Sequence, residues 1–328
     1  MKKVIVFMLC LTLILTFVGC AGKDKTSQGD TKLKVSVACL KGPTGVGMTK
    51  LMSDNDNNKT KNSYEFTVAS AADEISGRIV SGEINIASGP TNLAAKLYNK
   101  TDGKITMLAV NTLGVLSIVE NGDSIKSIKD LKGKTVYTTG EGSNPEYILR
   151  YLLSKNGVDS YKDVDIHFVA NNDELIATLV SGTASIAMIP EPAATSAIVK
   201  KNTLKKVLSI NEEWEKTTDE DLMMGCVITL KSYAENNKET VQNFLSDYEN
   251  STDYVNQNIE QSADLCEKYA IIPSSAIAKK SIKDCNIKFI HSKDAQAPLQ
   301  DYFKVLYDAD KTSIGGKLPQ DDFYYKEK

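Results

Sequence analysis

An α/β fold built as two similar lobes is the class this sequence predicts, and three observations carry the prediction. Strand-like and helix-like segments alternate from Leu33 onward. The chain matches itself without a gap when shifted by 100 positions. In both copies, the loops that follow strands are rich in Gly, Ser, Thr and Asn and run directly into helical patterns.

The chain starts with a short basic head, Met1-Lys2-Lys3, and an apolar run from Val4 to Val18. A run of that length is short for a membrane span, which needs ~20 residues, and it fits a secretory signal. Thr16-Phe17-Val18-Gly19-Cys20 resembles the lipobox of bacterial lipoproteins, with Phe17 where Leu is usual. That resemblance implies a signal peptide over residues 1–19 and acylation of Cys20 by diacylglyceryl and palmitate-type chains. Each buried lipid methylene contributes roughly 0.8 kcal/mol, so two or three chains hold a protein on the outer face of the cell membrane. Residues 20–31 are small and polar and read as a tether.

The first lobe opens with a strand pattern from Leu33 to Cys39, a helical pattern from Val46 to Met52, and a strand from Tyr64 to Ser70. A helix from Asp73 to Ser81 and a strand from Ile84 to Ala87 follow. The second copy sets Asp173-Glu174 on Asp73-Glu74, Val180-Ser181-Gly182 on Val80-Ser81-Gly82, and Pro190 on Pro90. Upstream, Gly142 falls on Gly42, and Ile166 and Phe168 fall on Phe66 and Val68. Two apolar stretches, Leu113 to Val119 and Met223 to Leu230, suit the passage out to the second lobe and back. The expected division is residues 32–112 and 226–328 for the first lobe and 113–225 for the second. Helical patterns at Tyr233 to Val255, Ser262 to Tyr269, Ser275 to Lys283 and Ala297 to Tyr307 are expected to cover the first lobe.

Composition narrows the function. A formal net charge of −3 leaves no positive excess for nucleic acid, and only two arginines, Arg78 and Arg150, are present. His167 and His291 are the only histidines, no metal-ligand spacing occurs, and no nucleophile has a base and an orienting group beside it. No metal, cofactor or catalytic residue is therefore expected. Cys39, Cys226, Cys266 and Cys285 are too few for a disulfide scaffold; buried thiols are the default, with a Cys266–Cys285 bridge as the alternative.

Ligands of open parallel sheets sit beyond the carboxyl ends of strands. Three loops fall there: Lys41 to Gly47, Ser88 to Asn92, and Thr139 to Pro145. Glycine lets backbone approach a ligand, hydroxyls donate, and helix N-terminal amides favour an anion. Neither a dinucleotide fingerprint nor a Walker loop is present. Ile189-Pro190-Glu191-Pro192 fixes one carboxylate at a strand end, either as a ligand contact or as a helix cap. Trp214 suits a cleft floor or the core, and Tyr147 suits packing or the cleft edge.

With the lipobox, the paired lobes, Ser127-Ile128-Lys129-Asp130-Leu131-Lys132-Gly133-Lys134 before a strand, and Ile186 to Pro192, the chain resembles solute-binding lipoproteins of ABC importers. It is most similar to the group that binds nitrate, sulfonates, taurine and thiamine precursors. The resemblance implies a type II periplasmic-binding fold, with two hinged α/β lobes closing on one solute. It implies a monomer that delivers a sulfonate, nitrate-like anion, pyrimidine thiamine precursor or aromatic acid to a permease driven by an ATPase. Carried over to the matching loops, the contacts are Thr44, Ser88, Thr91, Asn111, Thr112, Gly142, Ser143, Asn144 and Glu191. The competing readings are a surface interaction or adhesion lipoprotein, and an enzyme on the same fold. The enzyme reading lacks the cysteine-rich segment and substrate histidine of its pyrimidine-forming relatives.

Overall fold

Strand β1, Lys34–Leu40, buries Val35, Val37, Ala38 and Cys39 completely, as a strand covered on both faces must. The computed structural model describes residues 33–326; the expected signal peptide, the expected lipidation site Cys20 and the expected tether lie outside the described residues. β1 pairs in parallel with β2, Ser63–Ala69, along its full length, and on its other side with β3, Ile86–Pro90. β4, Ile105–Thr112, is buried at every position, and β10, Gly225–Leu230, lies antiparallel between β3 and β4. β11, Ile287–His291, closes the edge, giving the order β11-β4-β10-β3-β1-β2.

The second sheet repeats the arrangement. It is formed by β5, Leu116–Glu120; β6, Thr135–Thr138; β7, Asp165–Phe168; β8, Ile186–Pro190; and β9, Lys205–Ser209, in the order β7-β6-β8-β5-β9. In each sheet a parallel trio (β2-β1-β3 or β7-β6-β8) meets an antiparallel fourth strand (β10 or β5). The self-match of the sequence is thus a match of topology.

In the first lobe, α1 spans Pro43–Val46, α2 Thr49–Asp56, α3 Asp73–Ser81 and α4 Thr91–Lys100. In the second, α5 spans Asn144–Lys155, α6 Asn172–Ser181, α7 Ala193–Lys200 and α8 Ile210–Thr218. The repeated Ser-Gly ends α3 and α6 in the same way. Gly82 and Gly182 both take left-handed C-caps, at φ 80° and 86°, a conformation that glycine adopts without a Cβ penalty.

The chain leaves the first sheet after Thr112 and enters the second at Leu116; it returns after α8 to Gly225. Each crossing strand begins later than its apolar pattern because the preceding amides bond elsewhere. Leu113 N donates to Asn286 O at 3.0 Å, Gly114 N to Asn211 Oδ1 at 3.0 Å, and Met224 N to Thr112 O at 3.0 Å.

Helices α9 to α13 are Lys231–Asn236, Lys238–Gln257, Ile259–Lys268, Ser275–Ser281 and Gln296–Ala309. The pattern expected as one helix from Tyr233 to Val255 breaks at Asn237, and α10 sets Val241, Phe244, Leu245, Tyr248 and Val255 against β1 and its neighbours. α13 departs from the expectation that these helices cover only the first lobe, because Tyr302 packs edge-on to Trp214 of α8 with ring centroids 5.6 Å apart. Trp214 also meets Tyr151 of α5 and is 1% exposed, so it is a core residue and not a cleft floor. Cys39, Cys226, Cys266 and Cys285 are all buried free thiols, which rules out the Cys266–Cys285 bridge.

Candidate functional site

Parallel strands of both sheets end facing the same gap, and the glycine-rich loops fill it. After β1, Gly42 takes φ 85°, and a Cβ on Gly45 would lie 2.3 Å from the Leu40 carbonyl, so both positions require glycine. That turn brings the Thr44 carbonyl over β3 and β4. Ser88 Oγ donates to it at 2.7 Å and Asn111 Nδ2 at 3.2 Å; Asn111 Nδ2 also donates to Ser88 Oγ at 2.8 Å. Thr112 Oγ1 donates to Asn111 Oδ1 at 3.2 Å. Ser88, Asn111 and Thr112 are buried, so this is a neutral, satisfied network that fixes the Thr44 loop. Thr91 is also buried, and its hydroxyl donates to the Met223 carbonyl at 2.9 Å, tying α4 to the return crossing.

In the second lobe, Ser143 takes extended geometry at the N-cap of α5, Pro145 stands in the first turn, and Ser143 Oγ donates to Gly140 O at 2.6 Å. Gly142 N donates to Glu146 Oε2 at 2.8 Å, so that amide is already in use; Glu146 is held in turn by Arg150 Nε at 2.6 Å. Asn144 is 7% exposed, and its Oδ1 has no hydrogen-bond partner.

These loops enclose a cavity of about 390 Å³. Lys41, Thr44, Asn92, Thr112, Ser143 and Asn144 supply its polar wall, and Leu40, Val115 and Met224 its apolar wall; it has neither a carboxylate nor an aromatic ring. Lys41 is exposed and forms no ion pair among the described residues. The α4 and α5 N-termini meet here through Asn92 and Asn144. A larger hollow of about 610 Å³ lies at the opposite end of the first sheet, beside Thr106, Lys231 and Tyr324, and receives none of these loops.

Of the residues singled out from sequence, Thr44, Thr112, Ser143 and Asn144 line the cavity. Ser88 and Asn111 stand behind Thr44, while Thr91, Gly142 and Glu191 are not on its wall. Cys20 lies outside the described residues. Pro192, not Glu191, is the N-cap of α7, and Glu191 Oε2 accepts from Thr195 N at 3.3 Å in the first turn of that helix. Its side chain is fully buried and ion-paired with Lys206 of β9, which also pairs with Asp284. Burial works to lower the pKa of Lys206, but hydrogen bonds and charge from Asp284 and Glu191 outweigh it and hold the ammonium above its ordinary value. Tyr147 donates to Asp310 Oδ2 at 3.2 Å and is packed rather than cleft-facing. Sequence reasoning missed Lys41 and Asn92, which stood inside loops already noted, and Lys206, for which no local pattern exists.

Two α/β lobes joined by two crossings, with helix N-termini and small polar side chains facing a gap, define a two-lobed solute receptor. Residues 57–268 match the family of ABC transporter, phosphonate, periplasmic substrate-binding proteins, and the chain belongs to that family. No curated protein matches the chain. Among solved structures, it is similar to an ABC transporter from Parabacteroides distasonis, with a TM-score of 0.78 at 20% identity, covering 91% of this chain and 100% of that one. The periplasmic aliphatic sulphonate binding protein SsuA from Escherichia coli gives 0.68 at 16% identity, covering 90% and 94%. The alkanesulfonate-binding protein SsuA from Xanthomonas axonopodis pv. citri bound to MOPS gives 0.62 at 13% identity, covering 88% and 94%. The fold is the type II periplasmic-binding fold. The chain is the extracytoplasmic substrate-binding component of an ABC importer, in a family of transport proteins and not of enzymes. No helix among the described residues is long and apolar enough to cross a membrane.

Proposed function

We propose that the protein is a lipid-anchored receptor for a short aliphatic oxyanion carrying one negative charge, with an alkanesulfonate fitting better than a dianionic phosphonate. The observation that carries this reading is the cavity wall: one unpaired cation, Lys41, two helix N-termini, no carboxylate and no aromatic ring. The partial positive charge at a helix N-terminus and one ammonium favour a single negative charge, the Thr44 hydroxyl and the Asn144 side-chain amide offer hydrogen bonds to its oxygens, and Ser143 braces the loop through Gly140 O. Leu40, Val115 and Met224 suit a short alkyl tail. A thiamine pyrimidine or an aromatic acid would need a stacking ring that this wall lacks. Ligand binding favours the closed lobes, which the permease and its ATPase then engage. Acylated Cys20 keeps the receptor at the membrane, so Cys20→Ser should release it from the membrane fraction.

A thermal-shift series with ethanesulfonate, taurine, methylphosphonate, nitrate and benzoate tests the ligand. A solute at a hundred times its dissociation constant adds about 2.7 kcal/mol of stability. The reading expects ethanesulfonate to raise Tm more than methylphosphonate or the zwitterion taurine, and Lys41→Ala and Ser143→Ala to weaken that rise. A rise with benzoate alone, or anion binding indifferent to Lys41→Ala, would overturn it.

A further inference from the structure

One charged cluster lies off the cavity wall and spans the two lobes. Glu191 follows β8 and Lys206 lies on β9, both of the second sheet, whereas Asp284 precedes β11 of the first. The Glu191 side chain is fully buried, that of Lys206 is 24% exposed and that of Asp284 is 45% exposed. One ammonium therefore holds an inner carboxylate of its own lobe and an outer carboxylate of the other. The α7 and α12 helices pack together beside it, and Pro192 reaches 3.9 Å from where a Cβ on Gly42 would stand.

We propose that Lys206 is a positioning residue, the movable bolt of a clasp between the lobes: Glu191 seats its ammonium and Asp284 is the catch released when the lobes part. The proposal rests on the two-lobed receptor reading but not on the identity of the solute. The two legs differ in kind. The Glu191–Lys206 leg lies within one lobe and survives opening, which keeps the buried carboxylate paired in both states. The Lys206–Asp284 leg is half in solvent, so breaking it is cheap and reversible, as an opening step requires. The clasp thereby sets the ligand-free balance between open and closed forms, and the competent fraction scales the apparent affinity for any solute.

The test is small-angle X-ray scattering of the ligand-free protein. Asp284→Ala removes only the outer leg and leaves Glu191 paired, so the fold should persist. It should shift the open-to-closed ratio by roughly two- to fivefold, as expected for a partly exposed ion pair, and so enlarge the radius of gyration. Asp284→Glu should restore the wild-type value. Salt at ~1 M, where the screening length is about 3 Å, should enlarge the wild type but leave Asp284→Ala unchanged. Superposable scattering of wild type and a folded Asp284→Ala, at low and high salt, would overturn the clasp. Because no solute is present, that outcome is separate from failure of the oxyanion assignment.

Discussion

The loops after β3 and β8 occupy equivalent places in the repeat, at Pro90 and Pro190, yet they do different work. In the first lobe, Ser88 and Thr91 are neutral and buried, and their hydroxyls donate to the Thr44 and Met223 carbonyls. In the second, Glu191 places a carboxylate in the same position and is paired with Lys206, which also pairs with Asp284. Duplication supplied one scaffold twice. Where the first lobe has the Thr91 hydroxyl the second has the Glu191 carboxylate, which pairs with Lys206 of its own lobe. A neutral network is stabilised by short hydrogen bonds alone, whereas a buried carboxylate must find a cation, and Glu191 finds it in Lys206 on the neighbouring part of its own sheet, an ammonium it shares with Asp284 of the other lobe.

The largest expected effect breaks the charged side of this comparison. Lys206→Met strands the buried Glu191 carboxylate and should cost about 3–5 kcal/mol, read as a lower urea midpoint; adding Glu191→Gln should recover much of it, because the orphan charge is gone. A midpoint unchanged by Lys206→Met would mean that Glu191 is not held by that ammonium. On the neutral side, Asn111→Ala removes the donor to both Ser88 and the Thr44 carbonyl and should cost about 1–3 kcal/mol, while loosening the cavity wall enough to weaken ethanesulfonate binding measured by calorimetry. Thr91→Val deletes one buried hydrogen bond with little change in shape. A loss of about 1 kcal/mol in the same denaturation assay is expected, with ligand affinity kept within a factor of a few. The smallest effect belongs to Tyr147→Phe, whose bond to Asp310 is partly solvated: about 0.5 kcal/mol or less, and a larger drop would mark the α5 to Asp310 contact as a second clasp.

Much of this fold was legible from local chemistry. The helix from Asp73 to Ser81 matches its expected bounds because an acidic first turn and a glycine stop mark both ends. The repeat was readable because strands and caps recur in phase. β11 was not, since Ile287-Lys288-Phe289-Ile290-His291 is short and only partly buried, and becomes a strand by pairing with β4. In the site, the loops were readable as loops, and Thr44, Ser143 and Asn144 came from carrying the family resemblance onto those loops; all three lie in the first turn or at the N-cap of a helix. The roles of Ser88, Thr91 and Asn111 as braces depend on partners 23 to 132 positions away.

By itself, the sequence determined the alternating α/β pattern, the duplicated lobes, the positions of the glycine loops and the absence of an arginine-rich or histidine-rich site. Each of these follows from local periodicity, capping and composition. Only the tertiary structure decided that Lys41 is the cation on the cavity wall, that Trp214 belongs to a core spanning α8, α5 and α13, and that Glu191 meets Lys206, which it shares with Asp284, instead of that wall. Charge pairing and ring packing act through space over a few ångströms, and the folded chain brings together Glu191, Lys206 and Asp284 from separate stretches of sequence that no local pattern connects.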